Sequence, residues 1–328
     1  MMSLPWQAKA VAWFMLAVIG LMTTAQAAEP VKLRVGVLKY GTVSWELRVI
    51  QDFGLAEQEG VTLEIVPLAL KDAANVAIQG GAVDVIVGDW LWVSRQRAEG
   101  RHFIFVPHSL AVGAVIVRPD AGINTLADLR GKRLGVAGGP LDKSWLLLRA
   151  YSKRVLGADL ADLVEPTFAA PPLLNELLRT GELPAVLNFW HYGARLKAAG
   201  MLELIRIADI LPALGVKEGL PLIGWIFKED WAEQHRTTVE GFLRASREAK
   251  RIMLTSAEVW ERLRPLMQAE DDATLGALRD AYREGISWDF GKREVAAAHQ
   301  VFKILAEEGG QALTGKSRVL APGTFWGW

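Results

Sequence analysis

Cysteine is absent from all 328 residues. That absence excludes disulfides, thiolate metal sites and cysteine nucleophiles together. An excess of either charge is absent too, since 37 Lys and Arg balance 37 Asp and Glu. The basic surplus that marks a nucleic-acid binder is therefore missing, and there is no acidic tail. Histidine is sparse: the five residues stand at 102, 108, 191, 235 and 299, and none forms a close ligand pair. The spacing leads us to expect no metal centre. No lysine is singled out for pyridoxal phosphate, and no other cofactor is expected. Tyrosine numbers only four against thirteen Trp. So many large flat rings exceed the needs of one core and suggest a surface or cleft built for contact. The remainder is ordinary for a globular chain, 51% apolar and 23% charged, with length enough for about two domains.

The N-terminus reads as an address. Lys9 precedes the uncharged run from Ala10 to Met22, and Ala25-Gln26-Ala27 supplies a small-x-small cleavage site. This is the layout of a secretory signal peptide, expected over residues 1–27 with cleavage near Ala27/Ala28. The run is too short to span a hydrocarbon core of about 30 Å at about 1.5 Å per residue. No cysteine follows the cleavage site to carry a lipid. The expected mature form is exported to a periplasm and not embedded in a membrane.

Beyond Lys32 short β-rich runs alternate with helical stretches. Strands are expected at Lys32–Leu38, Thr62–Leu68, Val83–Val87 and Phe103–Val106, with helices at Val43–Gln58, Asp72–Gln79 and Trp90–Glu99 between them. A second series places strands at Arg133–Val136, Ala185–Phe189 and Leu204–Ala208, with helices at Leu141–Leu156 and Tyr192–Ala199. Such spacing implies βαβ units and mostly parallel sheets. After a strand at Leu222–Phe227, helices dominate to about Glu308, with starts expected at the Thr237-x-x-Glu240 capping box and at Ser256. Each series contains a helix that ends in glycine before an apolar strand, at Gly80-Gly81 and at Gly181. Both of those strands run into polar and aromatic clusters, Gly88-Asp89-Trp90-Leu91-Trp92 and Asn188-Phe189-Trp190-His191-Tyr192. Open α/β sheets bind ligands beyond the carboxyl ends of their strands.

The segment Gly122-Ile123-Asn124-Thr125-Leu126-Ala127-Asp128-Leu129-Arg130-Gly131-Lys132-Arg133-Leu134-Gly135-Val136 resembles a stretch found in periplasmic solute-binding proteins of ABC importers. The resemblance is to the sulfonate, taurine, nitrate and NMT1/THI5-like group, and the Gly80–Gly88 turn and Glu57-x-Glu59-Gly60-Val61 fit it. It implies an α/β fold of the type II periplasmic binding protein class: two α/β lobes joined by two crossovers, with a helical C-terminal region packed on lobe one. Residues 28–113 would form the first part of lobe one and 114–221 lobe two. Residues 222–328 would return to lobe one and add the C-terminal helices. The crossovers are expected near Ala111–Val117 and Ala208–Leu222. Closure on a solute would be a hinge motion.

Other motifs carry less. Gly310-x-x-x-x-Gly315-Lys316-Ser317 matches a phosphate-binding loop letter for letter, but an expected helix precedes it where a strand is required. Glu270-Asp271-Asp272 stands before a helical run, where acidic residues complement the helix dipole.

Four loops are expected to face the cleft. Tyr40, Thr42 and Trp45 follow the first strand, and Asp89 and Trp90 the third. Gly139 and Asp142 precede a lobe-two helix, and Asn188, Trp190 and His191 follow a lobe-two strand. His108 and Trp225, near the crossovers, complete the substrate-binding set. Trp231 and Trp260 sit in helical patterns and are assigned to packing. Pro140 removes a donor and Asp142 adds a carboxylate at one helix start, and Asp89 lies beside tryptophans. This set favours an amine-bearing or heteroaromatic solute. An aliphatic sulfonate, taurine or nitrate is the alternative, and a THI5-like pyrimidine-related enzyme a further one. That enzyme branch uses a Cys-rich motif that this chain lacks, so no catalytic activity is expected. The expected partners are a small-molecule solute and an ABC permease with its ATPase, engaged by a monomer that binds no nucleic acid.

Overall fold

The structure, a computed structural model, describes residues 31–39 and 41–327. The expected signal peptide and Tyr40 lie outside the described residues. The first four strands are β1 (Val31–Leu38), β2 (Val61–Leu68), β3 (Val85–Asp89) and β4 (Phe103–Ser109). The next five are β5 (Ala114–Val117), β6 (Arg133–Ala137), β7 (Glu165–Ala169), β8 (Ala185–Asn188) and β9 (Leu202–Arg206). A last strand, β10 (Ile223–Lys228), returns to the first group. Between the strands run α1 (Val43–Asp52), α2 (Lys71–Gly80), α3 (Trp90–Ala98), α4 (Lys143–Leu156), α5 (Pro171–Arg179) and α6 (Trp190–Ala198). After β10 come α7 (Arg236–Thr255), α8 (Ala257–Met267), α9 (Asp272–Glu284) and α10 (Lys292–Thr314).

The strands form two sheets, ordered β2-β1-β3-β10-β4 and β7-β6-β8-β5-β9. Each is parallel except for one strand, β10 in the first and β5 in the second. In both sheets the reversed strand is the one the chain enters directly from the other lobe. Residues 110–113 carry the chain from β4 to β5, and residues 207–222 carry it from β9 back to β10. The mixed α/β, two-lobed architecture expected from the sequence is the one observed.

Local chemistry moves several boundaries. The helix expected over Val43–Gln58 breaks at Gly54, which adopts a left-handed φ of 60°. Helix α4 begins at Lys143 rather than Leu141, because the Asp142 carboxylate accepts from the Ser144 and Trp145 amides and so caps it. Ser256 caps α8 in the same way, accepting from Val259 N. The capping box at Thr237–Glu240 does not form; α7 starts at Arg236 behind His235, which makes no side-chain cap. Two strands were not anticipated. β5 is a buried Ala-Val-Ile-Val run inside the expected crossover. β7 carries Pro166, which a strand tolerates at the sheet edge where β7 lies.

Alternation along the second sheet sorts its faces. Val115, Val117, Leu134, Val136 and Leu187 join Trp145 and Leu146 of α4 in a core that runs on into lobe one. Ala114, Ile116 and Val186 point the other way, onto Leu174 and Leu178 of α5 and Leu196 of α6. In the first sheet Leu33, Val35, Trp225 and Phe227 pack under α1, α7 and α8. Helices α7 and α8 thus cover lobe one, while α9 lies against α6 and α10 against α4, reaching lobe two on both faces of its sheet. The Arg195 guanidinium of α6 donates to the Gln268 carbonyl just beyond α8 (3.0 Å). Lys153 of α4 pairs with Glu308 of α10 at 2.8 Å. The final segment returns to lobe one, where Phe105 N donates to the Thr324 carbonyl.

Helix α10 runs directly into Gly315-Lys316-Ser317, so the strand–loop–helix geometry of a phosphate loop is not formed there. Among the described residues, no helix is long and apolar enough to cross a membrane.

The crossovers are held together at Gly113, whose carbonyl accepts from Ile207 N at 3.0 Å. A Cβ on Gly113 would stand 2.5 Å from the main-chain oxygen of Asn188. Gly113→Ala is therefore expected to destabilise the protein by about 1–3 kcal/mol. It would be read as a lower urea midpoint at unchanged slope. An unchanged midpoint would mean that the crossover yields without strain.

Candidate functional site

The ends of β1 and β3 in lobe one face the ends of β6 and β8 in lobe two, and side chains meet across the gap. Asp89 closes β3 and caps α3, accepting from Trp92 N through Oδ1 at 2.9 Å. Its Oδ2 accepts from Lys71 Nζ at 2.6 Å and from Lys143 Nζ at 3.0 Å. Lys71 opens α2 in lobe one, whereas Lys143 opens α4 in lobe two, so one carboxylate oxygen ties the lobes together. Burial opposes ionisation of Asp89, but the Lys143 and Lys71 ammonium groups and the Trp92 amide outweigh it and hold the carboxyl well below its usual range. Lys71 stays half-exposed, and Lys143 keeps donors beyond the one that Asp89 receives. Asp142 is engaged as the cap of α4, and burial pushes its carboxyl up.

A ring contact forms the second bridge. Trp45 of α1 meets Trp190 of α6 edge to face, with centroids 5.9 Å apart. Tyr282 of α9 packs on both rings at 6.3 Å, and Trp260 closes the cluster against Trp45 and Tyr282. The Tyr282 hydroxyl donates to Glu46 Oε2 at 2.9 Å. Glu46 is fully buried and also accepts from Ser246 Oγ (2.5 Å) and Lys250 Nζ (2.6 Å). Burial opposes its charge, yet Lys250 and these hydrogen bonds hold the carboxyl below its ordinary value. Lys250 Nζ also lies 3.0 Å from His108 Nδ1. Burial, with Lys250 beside it, lowers His108 to about 4, so the neutral ring accepts from the lysine.

The expected site residues divide. Thr42, Asp89, Gly139, Asp142, Trp190 and His191 stand at the facing strand ends. Trp45 is there as well, buried under Trp190. Trp90, His108 and Trp225 are not brought to the cleft surface. Trp90 is fully buried and its indole N–H donates to the Pro221 carbonyl. Trp225 lies mid-strand in β10 between His108 and Phe242. Asn188 is buried, with its amide donating to Pro171 O and Asn175 Oδ1. The lobe-to-lobe tryptophan contact is therefore Trp45–Trp190 rather than one involving Trp90. His191 stands apart: its Nδ1 is buried without a hydrogen-bond partner, and burial, then Arg195, lowers it to about 3. That nitrogen is closed off beneath the ring contacts of His191 with Trp190 and Tyr192.

Lys71, Tyr282 and the buried Glu46–Lys250 pair were not anticipated. Lys71 obeys the strand-end rule, since it follows β2, and could have been found by it. Nothing in the sequence distinguishes Tyr282. Among the described residues, no group of three or more His, Asp or Glu is placed to hold a metal.

A cavity of about 500 Å³ lies at the hinge, walled by both crossovers, by α6 and by α9, with Trp190 on its border.

A family model described as NMT1/THI5 like matches residues 49–258. No curated protein matches the chain. Among solved structures, the periplasmic aliphatic sulphonate binding protein SsuA from Escherichia coli superposes with a TM-score of 0.72 at 17% identity, covering 90% of this chain and 92% of that one. The alkanesulfonate-binding protein SsuA from Xanthomonas axonopodis pv. citri, solved bound to MOPS, gives 0.68 at 18% identity, covering 91% and 99%. The desulfurization enzyme DSZB gives 0.55 at 16%, covering 85% and 92%. At such identities the likeness is one of fold.

Proposed function

The chain belongs to the NMT1/THI5-like family, and from that premise we propose that it is a periplasmic solute receptor of an ABC importer. It would work as a monomer, close its lobes on a small organic solute and deliver it to a permease. The observation that carries this reading is the Asp89–Lys143 contact between lobes at the strand ends. It exists only when the lobes are shut, and a solute that joins it favours the shut state.

The amine-bearing solute favoured by the sequence depends on free carboxylates at Asp89 and Asp142. Asp89 already neutralises lysines and Asp142 caps its helix, so the groups left to a ligand are ammonium donors on Lys71 and Lys143. We therefore read the solute as one with an acidic head, sulfonate or carboxylate. An aromatic or heteroaromatic body would rest near Trp190. The fold relatives described as sulphonate binders agree with that head group. A catalytic reading has the likeness to DSZB in its favour, but Asp89 is held ionised between lysines and the Asp142 carboxylate is engaged by the α4 amides, so neither is a ready proton acceptor.

A melting screen against alkyl- and arylsulfonates, carboxylates, nitrate, quaternary amines and pyrimidines tests this. Acidic compounds are expected to stabilise the protein most. Lys143→Ala should weaken the best of them about tenfold to a hundredfold, as loss of one charged hydrogen bond predicts. Stabilisation by amines alone, or full affinity in Lys143→Ala, would overturn the acidic-head assignment.

A further inference from the structure

The hinge cavity adjoins the facing strand ends at Trp190 and has a chemistry of its own. Its lining includes the small residues Ala111, Gly113, Gly193, Ala194, Ala277 and Ala281. Its volume of about 500 Å³ falls within the range of small-molecule pockets. Charge is concentrated at the mouth. Five carboxylates line it, those of Glu203, Asp209, Glu218, Asp280 and Glu284. Three cations, Lys197, Arg206 and Lys217, face them. Lys197 is already paired with Glu203 at 3.1 Å, and Arg206 with Asp209 at 2.8 Å while it reaches Glu284 at 3.6 Å. Asp280 is paired with Arg279 at 2.7 Å, so the mouth is left with a surplus of a single carboxylate over an apolar interior, and Trp190 offers a ring at its border.

We propose that this cavity is a second small-molecule site, for a compound with an apolar body and a cationic head such as an aromatic or aliphatic ammonium. The surplus carboxylate complements the head, the alanine and glycine lining accepts the body, and the indole adds a cation–π surface. Because its walls include both crossovers together with α6 of lobe two and α9, an occupant contacts the parts whose relative position sets the lobe angle. Binding there is therefore coupled to binding in the cleft, in both directions by the same factor.

Benzyltrimethylammonium, with benzylsulfonate as the cleft-directed counterpart, is the probe pair for isothermal titration. The cation is expected to lose at least tenfold in Ala281→Trp, which fills the cavity, and to shift in Lys143→Ala, which loosens closure, by no more than the severalfold coupling between the two sites. Ala277→Leu fills less space and serves the same purpose if the tryptophan variant does not fold. Saturating cation should change the benzylsulfonate dissociation constant severalfold in wild type and leave it unchanged in the filled variants. No cation binding to wild type, undiminished binding in a folded cavity-filled variant, or a loss in Lys143→Ala as large as that in Ala281→Trp would each overturn the proposal. Failure of benzylsulfonate to bind would count against the acidic-head reading of the cleft and leave the cation result standing.

Discussion

Glu46→Ala is expected to lower the unfolding free energy by about 3–5 kcal/mol, the scale on which breaking one side of a buried ion pair acts. The carboxylate is fully buried and receives Lys250, Ser246 and Tyr282 at once. Without it the Lys250 ammonium, itself buried, retains only the neutral His108 ring and the Ser246 hydroxyl. The Tyr282 hydroxyl loses its acceptor in the middle of the ring cluster. Urea unfolding at neutral pH reads the loss. Glu46→Leu combined with Lys250→Met removes both charges and should recover most of it, so the two single effects should be far from additive. A single-variant loss below about 1 kcal/mol would show that Lys250 finds another counter-charge.

Acidification from pH 6.5 towards pH 4 is expected to weaken the fold before its well-held carboxylates titrate. His108 is lowered to about 4 and His191 to about 3, each by burial first and by a neighbouring cation second. An unfolded histidine titrates near 6.5, so over this interval the unfolded chain takes up protons that the folded chain refuses. Stability is thus complete above about pH 6.5 and falls as the pH drops; the His108 contribution ends near 4 and that of His191 near 3. His108 alone contributes on the order of 3 kcal/mol across its window. Glu46 and Asp89 have depressed values, so their contributions persist through that window and are lost only at lower pH. Urea midpoints at pH 7.5, 6.0 and 5.0 would follow the effect. His108→Gln, which keeps an acceptor for Lys250 and cannot take the proton, should flatten the profile. Constant stability between pH 7 and 5 would contradict the assignment of two neutral, buried rings.

The architecture was readable because strand and helix periods alternate cleanly and because the Asp128–Val136 segment sits where lobe two begins. β5 escaped because four buried residues have the same appearance in a crossover as in a central strand. β7 escaped because Pro166 argues against a strand everywhere except at an edge. The apolar faces of α9 and α10 announce that each is buried, but not that the surface covering it belongs to lobe two. At the site, the strand-end rule located Thr42, Asp89, Asp142, Trp190 and His191. It misplaced Trp90, which turns inward at the first position of α3 to bond Pro221. Charge was the harder property. Asp89 reads as a free anion in the sequence because nothing local reveals that Lys71 and Lys143, 18 and 54 positions away, share its oxygen.

The attachment of α9 to α6 and of α10 to α4 restricts how the lobes part. Those two attachments stand on opposite faces of the second sheet, so sliding or twisting that sheet would shear at least one of them. Rotation about the line that joins them disturbs neither. A swing about that line is the motion these attachments oppose least, and the Asp89–Lys143 and Trp45–Trp190 contacts, which bridge the lobes at the facing strand ends, are the ones that it would separate.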